Sequence, residues 1–194
     1  VDPVRDAEII NLELNLADLQ TVENRIGKIE KKSKTTKDKD AVAEMALLNR
    51  LKPLLEEGKP ARVLEVDEDE AIILKGYNLL TAKPMIYVAN LDEEGVMDPS
   101  ANAYYNQLVE YASSQNNEVV ALCAKMEEEL SELDKEEKTA FLNELGVDSS
   151  GLDLLIQKAY SVLNLCTFLT AGEDECRAWT FKKGMKAPDC AGVI

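Results

Sequence analysis

The sequence predicts an α/β protein in which a pair of long helices precedes a strand–helix–strand unit and a β-hairpin follows it. Three observations carry that reading. The run from Pro84 to Ala89 is continuously apolar and stops abruptly at Asn90-Leu-Asp-Glu93. A second short apolar run, Glu118 to Ala124, follows a stretch of helical pattern. Apolar runs of this length without alternation read as strands buried on both faces, the habit of parallel sheets. Upstream of residue 60, apolar residues recur at steps of three and four over two separate stretches, the spacing of helix faces.

In chain order, the first stripe runs through Ile9, Leu12, Leu16, Leu19, Val22, Ile26 and Ile29. The second runs through Val42, Met45, Leu48, Leu51 and Leu55, with Pro53 expected to kink or weaken its helix and Gly58-Lys59-Pro60 to stop it. The polar stretch Ser33 to Asp40 reads as the turn between them, so the two helices should pack antiparallel with their stripes facing. Each aliphatic side chain buried this way contributes roughly 1.5–3 kcal/mol before entropy is subtracted. Asp67 to Asn78 reads as a short helix with an acidic first turn. Between the two predicted strands, Ser100 to Ser114 is helical in pattern, with Ala103, Leu108 and Tyr111 on its apolar face and Asp98-Pro99-Ser100 as turn and cap. A βαβ crossover is almost always right-handed, which brings both strand ends to one edge of the sheet. Glu127 to Leu145 is acidic and helical with a break near Asp134, and reads as a solvated face. Gly151 to Leu163 forms a last helix with Leu155, Ala159 and Val162 inward. Cys166 to Thr170 and Cys176 to Phe181 form the hairpin, turning at Ala171 to Asp174, with Trp179 as a core anchor. A lone hairpin is marginal in water, so residues 165–194 are expected to be poorly ordered or to repack on the rest.

The edge where the strands end is where ligands bind in open α/β sheets. P-loop GTPases carry their guanine-reading Asn-Lys-x-Asp at that place. Here Leu91 replaces the lysine, and the acid, Glu93, is one methylene longer. Guanine presents two adjacent donors, N1–H and the exocyclic amine, which a short aspartate grips with both oxygens. Adenine presents an acceptor at N1 and a donor at N6. Lengthening the acid spoils the fork, and each buried polar group left unpaired costs about 1–3 kcal/mol, enough to move base preference by one or two decades. Asn90 serves either purine, because its amide both donates and accepts. By itself, Asn-Leu-Asp-Glu is also what an ordinary polar loop after a strand would carry. The second strand ends at Cys123-Ala124-Lys125, close to the Ser-Ala-Lys whose backbone amides support the base in P-loop GTPases.

The chain resembles the YchF-type Obg-like ATPases from end to end. The resemblance is carried by Val1 to Leu14, by Asn78-Leu-Leu-Thr-Ala-Lys-Pro84, by Asn90 to Glu93 and by Phe168 to Gly172. Its most specific parts are Arg177 to Gly184 and Ala187 to Ile194. It implies the C-terminal part of a P-loop NTPase domain with an inserted antiparallel coiled coil and the opening hairpin of a β-grasp TGS domain. The segments expected are 1–66 for the helical insertion, 67–164 for the nucleotide-binding part and 165–194 for the start of the TGS domain. It implies a cytoplasmic, ribosome-associated ATPase, linked to translation and stress responses, that prefers ATP to GTP. Asn90, Leu91, Glu93, Cys123 and Ala124 would hold the purine base. ATP and Mg²⁺ would be bound by the intact parent. This chain has no Gly-x-x-x-x-Gly-Lys-[Ser/Thr], so it is expected to be a piece of that parent, to hold no nucleotide tightly alone and to contribute no catalytic residue. Asp148-Ser-Ser-Gly151 matches the Asp-x-x-Gly of a Mg²⁺ loop, but it follows the base motif instead of preceding it and reads as a helix cap.

Composition narrows the remaining classes. The net charge of −15 argues against indiscriminate binding of nucleic acid or anionic membrane, and no specific DNA readout is expected. The chain has no histidine, which removes Ser-His and Cys-His nucleophilic sites and histidine metal ligation. Its four cysteines lack paired C-x-x-C spacing and read as reduced thiols, with no metal site expected. One segment breaks the acidic trend. Arg25, Lys28, Lys31, Lys32, Lys34, Lys37 and Lys39 stand against Glu30 and Asp38, a local charge of +5. At the tip of a helical hairpin it is either a solvated loop or a contact for ribosomal RNA phosphates. No aromatic residue interleaves the lysines, so base stacking is not supported. An alternative to the ATPase reading is a non-catalytic helical module that binds the ribosome or a protein without nucleotide.

Overall fold

The computed structural model describes residues 2–35, 39–147 and 149–194, and the chain divides into two compact units, residues 1–84 and 85–194. The first is built on helices α1 (Pro3–Thr35) and α2 (Lys39–Glu56). Both extend further into the expected Ser33–Asp40 turn than the polar composition suggested, and the remainder of that turn, residues 36–38, lies outside the described residues. Arg25 pairs with Glu44, Lys52 with Glu23, and the Asn15 amide donates to the Gly58 carbonyl. Positions rise on one helix as they fall on the other, so the pair is antiparallel.

Val22, Ile29, Ala41, Leu48, Leu51 and Leu55 form the core of this unit. The predicted stripe holds only in its second half. Ile9, Leu12 and Leu16 are each more than half exposed. The reason is length: α2 has 18 residues against 33 in α1, and it ends opposite Asn15. On α2 the buried residue at the start is Ala41, and Val42 faces solvent. The helix runs through Pro53 to Glu56, and Gly58, at φ 75°, ends it by donating its N–H to the Leu55 carbonyl.

Two polar residues, Asn15 and Asp18, take the buried face of α1 where the stripe departs. Asp18, 2% exposed, accepts from the Leu80 and Thr81 backbone N–H groups at 2.8 and 2.7 Å and from the Thr81 hydroxyl at 2.7 Å. The same hydroxyl accepts from the Ala61 N–H at 2.9 Å. Helix α3 (Glu68–Gly76), closed at its start by a reciprocal Asp67–Glu70 capping box, also belongs to this unit. Leu74, Tyr77, Leu79 and Ala82 pack on the core of the helical pair. Residues 67–84, read from the sequence with the nucleotide-binding part, therefore fold here onto the helices.

The second unit begins with β1 (Ile86–Asn90), followed by α4 (Glu93–Met97), α5 (Ala103–Ser114) and β2 (Glu118–Leu122). The strands pair in parallel, from Ile86 with Glu118 to Asn90 with Leu122. This is the predicted βαβ unit. The cap of α5 is Asn102, which accepts from the Tyr104 and Tyr105 N–H groups, and not the Asp98 to Ser100 turn. Its buried residues are Leu108 and Ala112, while Ala103 is exposed. Val88 is 45% exposed, so β1 is not covered on both faces. Among the described residues β2 is its one strand neighbour.

Helices α6 (Ala124–Ser131) and α7 (Lys135–Leu145) flank the break at Asp134, which caps α7. Met126, Leu130 and Leu142 bury their apolar sides with Cys123. Helix α8 (Gly151–Val162) starts at Ser150, whose hydroxyl accepts from the Asp153 N–H. A methyl group on Gly151 would meet the Leu122 Cβ at 2.5 Å, so only glycine lets α8 begin this close to β2. That gives the Asp-x-x-Gly match a packing role at its glycine. Asp148 lies outside the described residues. Strands β3 (Leu165–Ala171) and β4 (Cys176–Lys182) form the antiparallel hairpin, and α9 (Ala187–Ala191) follows. Phe168 and Phe181 meet across it, Trp179 donates to the Thr170 hydroxyl at 2.9 Å, and Arg177 covers the indole at 4.3 Å.

Candidate nucleotide-base site

The carboxyl ends of β1 and β2 create the candidate site. Parallel pairing brings Asn90 and Leu122 into register, and the Leu91 N–H donates to the Leu122 carbonyl at 2.8 Å, continuing the ladder one residue beyond the strand. Ala89 and Cys123 are buried beneath the edge. Asn90, Glu93, Ala124 and Lys125 are exposed above it, with Leu91 half-buried. An open cleft of about 720 Å³ is lined by Asn90, Leu91, Asp92, Glu93, Glu94, Cys123 and Lys125.

Two contacts cross from one strand end to the other. Asn90 Oδ1 accepts from the Ala124 N–H at 3.0 Å. This leaves the Nδ2 amino group as the part of Asn90 available to a ligand, a donor that matches the N7 acceptor of either purine. The second contact is an ion pair, with Lys125 Nζ 2.9 Å from Glu93 Oε1. Glu129, one turn along α6, stands 3.8 Å from the same ammonium. The hydrogen bond and charge of Glu93, reinforced by Glu129, hold the Lys125 pKa above its ordinary value.

The backbones under these side chains are braced. Asp92 accepts from the Gly95 N–H at 2.8 Å, capping α4 and setting Glu93 on its first residue. Cys123 caps α6 through its backbone and is 5% exposed, so it supports the site from below. The structure thus brings together all five residues expected at the base: Asn90, Leu91, Glu93, Cys123 and Ala124. Lys125 stands beside them, and sequence alone does not mark it as one of that set. Its one local signal was its place as the last letter of Cys-Ala-Lys.

The basic tip is described only in part. Arg25 forms a two-pronged ion pair with Glu44, at 2.6 and 3.0 Å, so it is committed to bracing α1 on α2. Lys28 and Lys39 are exposed. Lys31, Lys32 and Lys34 fall on the last turns of α1, and Lys37 lies outside the described residues. No group of three or more potential metal-binding residues occurs among the described residues, and no helix there is long and apolar enough to cross a membrane.

Comparison with known proteins bears out the resemblance read from the sequence. The model of the YchF-GTPase_C family, described as a protein of unknown function (DUF933), matches residues 165–194. The "Ribosome-binding ATPase YchF" of Bacillus subtilis (strain 168) is 55% identical over 194 residues, all of this chain and 53% of the relative. The protein of the same name from Escherichia coli O157:H7 is 42% identical over 194 residues, all of this chain and 52% of the relative. Among solved structures, that of the Schizosaccharomyces pombe YchF GTPase superposes with a TM-score of 0.84 at 32% identity, covering 100% of this chain and 52% of that one. The chain spans about half the length of the curated relatives it matches.

Proposed function

Taking the chain as a stretch of a YchF-type protein, we propose that it supplies purine-base recognition to a ribosome-associated ATPase, with ATP preferred to GTP, and a helical arm that reaches the ribosome. The observation that carries this reading is the Asn90 Oδ1 bond to the Ala124 N–H. It ties the two strand ends together and leaves the Nδ2 amino group as the donor that Asn90 can offer a base in the cleft. In this reading Asn90 donates to purine N7, Leu91 and Ala124 flank the ring, and Glu93 meets the edge that distinguishes adenine from guanine. The acidic cleft residues Asp92, Glu93 and Glu94 suit a base and not a triphosphate, whose charge they would repel. ATP would therefore be held here by its base alone. Its phosphates and Mg²⁺, which neutralises charge on the transferred phosphoryl group, would be held by sequence outside this chain, and this chain alone would be inactive. The β3–β4 hairpin would open the TGS domain, and the helical pair would be the inserted arm.

The relatives are named both ATPase and GTPase, which makes base preference the quantity to measure. In the full-length protein, Asn90→Ala should weaken ATP and GTP together, and Glu93→Asp should move preference towards GTP. Unchanged affinities in both variants would defeat the base-site reading. For the arm, exchanging Lys28, Lys31, Lys32, Lys34 and Lys37 for Glu should abolish co-sedimentation with ribosomes at low salt. Retained co-sedimentation would remove the basic tip from the proposal. A ribosome partner would place the protein in the cytoplasm.

A further inference from the structure

We propose that Lys125 tunes base specificity in this chain by holding the Glu93 carboxylate through one oxygen, so that guanine meets an ammonium where it needs an acceptor. The inference rests on the base-site reading above and adds a residue to it. Distance and anchoring support it. Nζ lies 2.9 Å from Glu93 Oε1, closer than to Glu129 at 3.8 Å. Lys125 follows Ala124, whose N–H is tied to Asn90, and Glu93 stands on a helix start fixed by Asp92. The two backbones are therefore placed relative to Asn90, and both partners of the ion pair line the cleft.

The chemistry then separates the purines. Guanine needs two carboxylate oxygens for its two adjacent donors, N1–H and the exocyclic amine. With one lone pair of Oε1 taken and a cationic donor standing beside it, Glu93 offers Oε2 as its one unencumbered oxygen. Adenine places one donor group, N6, and one acceptor, N1, on that edge. A free carboxylate oxygen beside an ammonium N–H matches an adjacent donor and acceptor, while the ammonium set against guanine's N1–H places donor against donor. Among the residues that line the cleft, Lys125 is the one cation beside Asp92, Glu93 and Glu94. Discrimination thus depends on a contact 32 residues apart in sequence as well as on the length of the acid. Both partners are largely exposed, at 70% and 58%, so the effect is modest and falls as salt rises.

The test is the ratio of Mg·ATP to Mg·GTP affinity in the full-length protein, measured by titration with ribose-labelled nucleotides. The variants are Lys125→Met, Lys125→Arg, Glu93→Asp and Asn90→Ala. Lys125→Met should tighten GTP relative to ATP by roughly three- to tenfold, the range for freeing one exposed charged acceptor. Lys125→Arg should restore the ATP bias, and raising the salt should erode it in the unmodified protein. An unchanged ratio in Lys125→Met, or an equal loss of both nucleotides, while Glu93→Asp still shifts preference, would overturn the role of Lys125 and leave the base site standing. Affinities unmoved by Asn90→Ala would take away the site and Lys125's role with it.

Discussion

Replacing Asp18 tests whether a buried carboxylate, and not an apolar stripe, fixes the first half of α1. Asp18 accepts three hydrogen bonds at 2.7–2.8 Å from groups 62 and 63 residues away. Asp18→Ala strands two backbone N–H groups and a hydroxyl, at about 1–3 kcal/mol for each buried unpaired group, and some of that is recovered as water enters. A net loss of about 3–5 kcal/mol is expected. Asp18→Asn keeps one oxygen for Thr81 but sets its amino group against the Leu80 N–H, for about 1–3 kcal/mol. Thr81→Val removes one donor to Asp18 and also strands the Ala61 N–H, for a similar cost. Because Thr81 and Asp18 share a bond, the double variant should cost less than the sum of the singles. The assay is urea unfolding followed by far-ultraviolet circular dichroism, with amide exchange at residues 80 and 81 as the local readout. A loss below about 1 kcal/mol in Asp18→Ala, with both amides still protected, would mean that the carboxylate does not anchor residues 80 and 81.

Two further outcomes follow from the second unit. Gly151→Ala should cost about 1–3 kcal/mol by overpacking, because the new methyl meets Leu122 Cβ at 2.5 Å and Cα at 3.1 Å. As Leu122 pairs with Asn90, nucleotide affinity of the full-length protein should fall as well, which thermal melting and nucleotide titration would check. The Ser150 hydroxyl, with Lys138, holds the Asp153 carboxyl below its ordinary pKa of 3.8. A depressed folded value contributes stability that is present above the unfolded pKa and is lost as pH falls through the folded one. Acid titration should therefore show a loss below about pH 4 that is absent in Asp153→Asn.

Elements whose cause is local were legible in the sequence. The apolar runs ending at Asn90 and at Cys123 became parallel strands, and the break at Asp134 became a capping box. Elements whose cause is distant were not. Ile9, Leu12 and Leu16 have helical spacing, but nothing in that spacing says that α2 stops opposite Asn15. Asp18 looks like a surface residue until Leu80 and Thr81 supply its donors. Asp98 and Asn102 both have the composition of a cap, and the 3₁₀ turn at Pro99–Ala101 decides for Asn102. At the candidate site, motif spacing pointed to the end of each strand but could not show that Lys125 and Glu93 meet.

In the proposed base site the side chains that would discriminate stand on exposed positions over a buried frame, so recognition and stability should respond to different substitutions. Asn90 gives the sharpest case. Its Oδ1 bond to the Ala124 N–H is structural, while its Nδ2 is the donor proposed to meet purine N7. Asn90→Asp retains an oxygen for Ala124 and turns the outward donor into a second acceptor, facing the N7 lone pair. The fold should keep its melting temperature. Affinity for ATP and for GTP should fall together, by roughly tenfold or more, as a hydrogen bond becomes a repulsion. Asn90→Ala should lose both the strand-end bond and the donor, lowering stability as well as affinity. If Asn90→Asp bound both purines as tightly as the unmodified protein, the outward amide would not be reading N7, and the cleft at the end of β1 and β2 would need a different ligand.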